Sequence, residues 1–302
     1  MKLSTAVNVN PPREPFRLTD KVMLLGSCFA DNLGARLSDA GFSVCTNPFG
    51  TLYNPESLLA AVRRLDSGEP FGPGDCVEMG AGAGRICSFM HHTSFARRGA
   101  EEFLECANKS LEEAHAFWQQ AGRVVLTLGT ALVWYHDGKP VANCLKRPAS
   151  EFTRRMLDVS EISEALEAIV STHPDKRFTV TVSPIRHLGD GAHVNALSKA
   201  SLLLGTEAAL AGAAEAASDF GPYEQERGAS ATPAEYFPAY EILNDELRDY
   251  RFYADDLVHP STSAVQYIWE RFLDTWVAPE DLPSIAANEK AARTASHRPN
   301  LR

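Results

Sequence analysis

Two short apolar runs that each stop at a glycine, Lys21–Gly26 (KVMLLG) and Arg123–Leu128 (RVVLTL) ahead of Gly129, constrain this chain more than any other feature. Runs of this length with no polar alternation are strands covered on both faces, the habit of parallel sheets. Between and beyond them, helical and strand-like stretches alternate. Helices are expected over Phe29–Ala40, from the Asn54-Pro55-Glu56 start, and over Ala100–Gln120, Ser160–Thr172, His193–Ala217 and Ser261–Trp276. Asn54 suits an N-cap and Pro55 the first helical position. Further strands are expected at Phe42–Thr46, Arg85–Met90, Phe178–Val182 and Tyr236–Leu243. The pattern predicts an α/β fold: a doubly wound, mostly parallel sheet flanked by helices in three layers. Residues 1–20 read as an N-terminal arm, 21–282 as a single domain, and 283–302, which lack apolar periodicity, as a tail without fixed structure.

Composition narrows the possible functions. A formal net charge of −10 over 302 residues argues against nucleic-acid binding as the main business of the protein. No apolar stretch approaches the ~20 residues of a membrane span, and no export signal is visible, so the cytoplasm is the expected address. The six cysteines (28, 45, 76, 87, 106 and 144) include no C-x-x-C pair. They read as free thiols, with neither a metal site nor a cofactor expected.

In open parallel sheets, ligands gather beyond the carboxyl ends of the strands. The first glycine-terminated run continues as Ser27-Cys28-Phe29-Ala30 into a helix. Free backbone N–H groups and the positive end of a helix favour an anion there, the condition a thiolate nucleophile needs. From the residues of this segment alone, the plainer reading, Ser27 as an N-cap and Cys28 as a small buried residue, is the better supported. Near the other end of the chain stands Asp256-Leu257-Val258-His259-Pro260, ahead of a helix. Asp256 is spaced to accept from His259 Nδ1–H, leaving Nε2 as a base.

G-S-C-F-A at 26–30, N-P-F-G-T-L-Y-N-P at 47–55 and D-x-x-H-P at 256–260 together resemble the GSCFA family, placed with the SGNH (GDSL-like) hydrolases. The resemblance spans roughly residues 20–275. It implies a doubly wound hydrolase fold acting on acyl esters, often of carbohydrates, through a Cys/Ser-His-Asp covalent mechanism. An O-acyltransferase acting on a glycan and a non-catalytic glycan-binding protein are the alternatives. Laid over G-D-S-L, the sequence puts Cys28 on the nucleophile position; a register shifted by one puts Ser27 there. Asp256 and His259 fill the rest of the triad. For the oxyanion hole the resemblance implies the backbone at residue 28 and Gly50. After Arg123–Leu128 the chain reads Gly129-Thr130-Ala131 where the pattern has an asparagine, leaving Thr130 or Asn143 as the third donor. His91, His92 and Arg186, near strand ends, are the substrate-binding candidates. The expected partner is a small-molecule or glycan acyl ester.

Overall fold

In the computed structural model, which describes residues 4–80, 82–216 and 234–296, the chain alternates strands and helices as the apolar pattern requires. Along the chain run β1 (Lys21–Gly26), α1 (Cys28–Ala40), β2 (Ser43–Thr46), α2 (Pro55–Ser67), β3 (Val77–Glu78), β4 (Ile86–Cys87), α3 (Ala100–Trp118) and β5 (Arg123–Leu128). Then come β6 (Leu132–His136), β7 (Lys139–Val141), β8 (Phe152–Met156), α4 (Val159–Ser171), β9 (Arg177–Val182) and α5 (Gly191–Ala216). The last elements are β10 (Ala234–Tyr236), the short α6 (Ala239–Glu241), α7 (Thr262–Trp276) and α8 (Leu282–Ser296).

Five strands form one parallel sheet in the order β10-β9-β5-β1-β2. The two-residue period of a strand sends alternate side chains to opposite faces. On one face Met23, Leu25, Val124, Leu126 and Leu128 pack under α2, α3, α4 and α5. On the other, Val22, Leu24 and Val125 meet Leu33 and Leu37 of α1, Ile268, Trp269, Phe272 and Trp276 of α7, and Ile285 of α8. The result is a three-layer α/β/α fold. From β1 the chain steps outward to β2, then returns to the far side of β1 for β5. Strand order therefore reverses between β1 and β5, the position at which open α/β sheets bind their ligands.

Residues 4–20 form no helix or multi-residue strand; Phe16 is buried against Phe272 and Trp276, and its backbone bonds to Trp276 and Ala278. Four expectations need correction. The strand expected at Tyr236–Leu243 is confined to Ala234–Tyr236. Pro238 then starts a helical turn, its carbonyl accepting from Ile242 N–H at 3.0 Å. Of Arg85–Met90 only Ile86–Cys87 pairs as strand, because Ser88–His91 close a turn. The stretch 283–302, expected to lack structure, contributes α8, held by Ile285 in the core, by Asn288 Nδ2 donating to Ala40 O and by Trp269 Nε1 donating to Glu289; residues 297–302 lie outside the described residues. Finally, a three-stranded antiparallel sheet, β7-β6-β8, stands between β5 and α4 where no element was expected. No helix among the described residues is long and apolar enough to cross a membrane.

Candidate functional site

At the end of β1, Gly26 adopts φ +140°, and a Cβ there would lie 2.2 Å from Thr127 O of β5. Only glycine lets the two strands stay paired at this point. Ser27 follows at 0% exposure: its N–H bonds to Thr127, and its hydroxyl lies 3.1 Å from Thr127 Oγ1 and accepts from Phe29 N–H. It is the N-cap of α1. Cys28, the first residue of that helix, is half-buried, and its N–H has no acceptor within the helix. Asn47 fixes the segment from the side: its Oδ1 accepts from Gly26 N–H at 2.8 Å and its Nδ2 donates to Asp31 at 2.7 Å. Asp31 keeps an exposed edge, yet desolvation raises its carboxyl above the ordinary range, against the Asn47 bond and the nearby His92.

The turn after β2 supplies the second wall. Gly50, at φ +81°, donates its N–H to Asn47 O at 2.7 Å, and a Cβ on it would strike His92 Cβ at 2.2 Å. Leu52 N–H returns to Gly26 O, while the Thr51 N–H between them has no hydrogen-bond partner among the described residues. Thr51 Oγ1 donates to the Tyr53 hydroxyl at 3.1 Å, and that hydroxyl lies 3.6 Å from Cys28 Sγ. Burial pushes the Tyr53 phenol up to about 12. Its backbone carbonyl accepts from both Gly129 and Thr130 N–H, each at 2.8 Å, which ties the turn to the end of β5.

The third wall follows β9. Arg186 receives the late histidine loop: its N–H bonds to Val258 O, its guanidinium donates to Leu257 O at 3.0 Å, and it stacks over Tyr253. Within the loop, Asp256 accepts from the N–H groups of Val258 and His259 at 2.9 Å each and from His259 Nδ1 at 2.7 Å. These bonds, the His259 backbone first, hold Asp256 down at about 2. Because Nδ1 faces a carboxylate, the proton is assigned there, and Nε2 is left without a partner among the described residues. Beside Arg186, the His187 ring meets Tyr53 edge-on, centroids 5.5 Å apart. Burial, then Lys199 and His259, lower His187 to about 4. Lys199 is itself buried, donating to Gly129 O at 2.6 Å and Ser183 O at 2.7 Å; burial lowers it to about 7.

The Tyr53 hydroxyl lies 3.6 Å from Cys28 Sγ, the Tyr53 ring meets His187, and the loop of His259 bonds to Arg186 beside His187, so all four belong to the carboxyl end of the sheet. Sγ and His259 Nε2 share no hydrogen bond in this state. Of the two candidate nucleophiles, Ser27 is fully buried and Cys28 is only half-buried. The other sequence candidates fare unequally. Gly50 shapes the turn, but its N–H is spent inside it; Thr51 offers the free one. Thr130 is turned inward, its hydroxyl shared with Ser198 at 2.9 Å and accepting from Leu132 N–H, and its N–H held by Tyr53. Asn143 gives its side-chain oxygen to Leu145 N–H and its own N–H to Phe89 O, forming a local turn.

His91 is a core residue, not a substrate contact. It is 0% exposed, ringed by Phe49, Phe71, Phe95 and Phe103, bonded to Ser88 at 2.7 Å and lowered by burial to about 3. His92 does reach the rim, beside Gly50 and near Asp31. Arg186 serves the histidine loop. Asn47, Thr51, Tyr53 and Lys199 went unassigned in the sequence, although the first three lie within or beside the N-P-F-G-T-L-Y-N-P run. Among the described residues, no three His, Cys, Asp or Glu side chains gather as a metal site.

A doubly wound α/β protein with a half-buried thiol at a helix N-terminus, placed where strand order reverses, is the class that fold and site define. Residues 21–272 match the model of the GSCFA family, and the chain belongs to that family. Comparison with curated proteins and with solved structures returns no match.

Proposed function

We propose that the protein is an acyl-ester hydrolase of the SGNH type, with Cys28 as nucleophile, His259 as base and Asp256 as the carboxylate that orients it. The observation that carries this reading is the placement of Cys28: a half-buried thiol on the first residue of α1, where strand order reverses between β1 and β5. Support for the superfamily comes from the sheet. Taken in chain order, its strands run second, first, third, fourth, fifth, with the nucleophile after the first and the histidine loop docked beyond the fourth.

In the reaction, His259 Nε2 takes the thiol proton as Sγ bonds to the acyl carbon and the carbonyl pair moves onto oxygen. The Cys28 and Thr51 N–H groups, both without a partner among the described residues, are the backbone donors for that oxyanion. Collapse expels the alcohol, protonated by His259, and leaves a thioester. Water, deprotonated by the same imidazole, then releases the acid and restores the thiol. Asp256, ionised far below neutral pH, stabilises the imidazolium at both stages.

Purified protein is to be assayed against short-chain p-nitrophenyl acyl esters, with and without a sugar alcohol as acceptor. Turnover that disappears in Cys28→Ala supports the reading, and acyl transfer to the alcohol in place of acid release makes the protein a transferase. Absence of any Cys28 acylation in the wild type rejects it.

A further inference from the structure

We infer that the Tyr53 hydroxyl is the third oxyanion donor of the Cys28 site, standing where the sequence lacks an asparagine. This inference rests on the acyl chemistry proposed above. The turn after β5 has no side chain to offer: Gly129 has none, and the Thr130 hydroxyl is engaged with Ser198. Tyr53 occupies that ground. Its carbonyl is gripped by the N–H groups of Gly129 and Thr130, so the residue is fixed to the turn that would have carried the missing amide.

Orientation of the phenol follows from its neighbours. Thr51 Oγ1 donates to the Tyr53 oxygen, which turns the phenol's own proton away from Thr51 and leaves it free to point toward Cys28. On the ring, the His187 edge braces one side. With the hydroxyl 3.6 Å from Sγ, an oxygen on the carbon bonded to Sγ can be oriented to lie within the ~2.7–3.1 Å that an oxyanion donor needs. A phenol shifted upward by burial keeps its proton at neutral pH and donates without ionising. The ground-state thiol gains only a weak sulfur contact from this hydroxyl. An oxyanion gains a short, charge-assisted bond, so the contribution grows as the reaction proceeds.

Two reactions of the same thiol in the full-length protein separate this role from a general effect on Cys28. Acylation by p-nitrophenyl acetate passes through an oxyanion; alkylation by iodoacetamide does not. In Tyr53→Phe the acylation rate is expected to fall by about 10²–10³-fold, with alkylation changed only a few-fold. Thr51→Val, which keeps the phenol but frees its orientation, is expected to show a smaller loss confined to acylation; it also serves if Tyr53→Phe proves unstable. Equal slowing of both reactions, or of neither, overturns the assignment of Tyr53 while leaving the hydrolase reading intact. A wild-type Cys28 that is alkylated but never acylated overturns both.

Discussion

Ser27 and Cys28 are adjacent in sequence but differ in what the fold leaves them free to do. Ser27 spends its hydroxyl on the α1 cap and on Thr127, in full burial. Ser27→Ala is therefore expected to lower stability by roughly 0.5–2 kcal/mol, read as a shifted urea midpoint, with the thiol still reactive. Cys28→Ala should remove all acyl turnover. Iodoacetamide should modify Cys28 ahead of Cys45, Cys76, Cys87 and Cys144, where burial raises the thiol, that of Cys45 to about 11. Mass mapping after brief labelling checks the order, and Cys45 labelled first would contradict it. The sequence narrowed the nucleophile to two neighbours and could go no further, because the choice depends on contacts with Thr127, a hundred positions away. The same limit explains the oxyanion donors. Whether Gly50 or Thr51 has a free N–H depends on how the Asn47 turn closes, and Tyr53 acquires its place only when β5 arrives beside it.

Elements whose signals are local were legible, and those defined by partners were not. β1, β5 and α1 appeared within a residue of their observed bounds because burial on both faces and a capping serine mark them. The β6–β7 hairpin carries its own local signal: Asp137-Gly138, with φ of +48° and +73°, is the two-residue turn that favours tight hairpins. Helix α8 has weak periodicity and owes its place to α1 and α7, so Ile285→Ala should cost about 2–4 kcal/mol in urea unfolding, whereas a mobile tail would show nothing. The histidine loop belongs to this scale as well, since Arg186 anchors it from a different element. His259→Ala should lower esterase turnover at least ~10³-fold with the melting temperature nearly unchanged. Arg186→Met, which leaves His259 chemically intact but frees the loop, should cost up to about 10²-fold, mostly in kcat. Normal kcat in Arg186→Met would mean the loop is held without it.

Across the whole molecule, the sheet divides the core into two apolar halves, and the larger one encloses a histidine. His91 lies among four phenylalanines and is lowered to about 3, against an unfolded value of about 6.5. Between those values the unfolded chain binds a proton that the folded one refuses, so stability is full above about pH 6.5 and declines as the pH falls toward 3. His187, lowered to about 4, pulls in the same direction over a narrower window. The carboxylates that folding lowers, among them Glu14, Asp158, Glu161 and Asp190, lose their contribution only as the pH drops through and below about 4. From pH 7 to 5 the loss thus comes from histidine, opposed by Asp31 and Glu241, whose carboxyls burial raises, and linkage gives His91 roughly 2 kcal/mol of it. Wild-type protein should unfold at lower urea at pH 5 than at pH 7. In His91→Phe, whose ring suits the aromatic cage and leaves Ser88 Oγ still accepting from Met90 N–H, that difference should shrink by about that amount. An undiminished difference in the variant would place the acid sensitivity elsewhere, with His187→Gln the next substitution to separate.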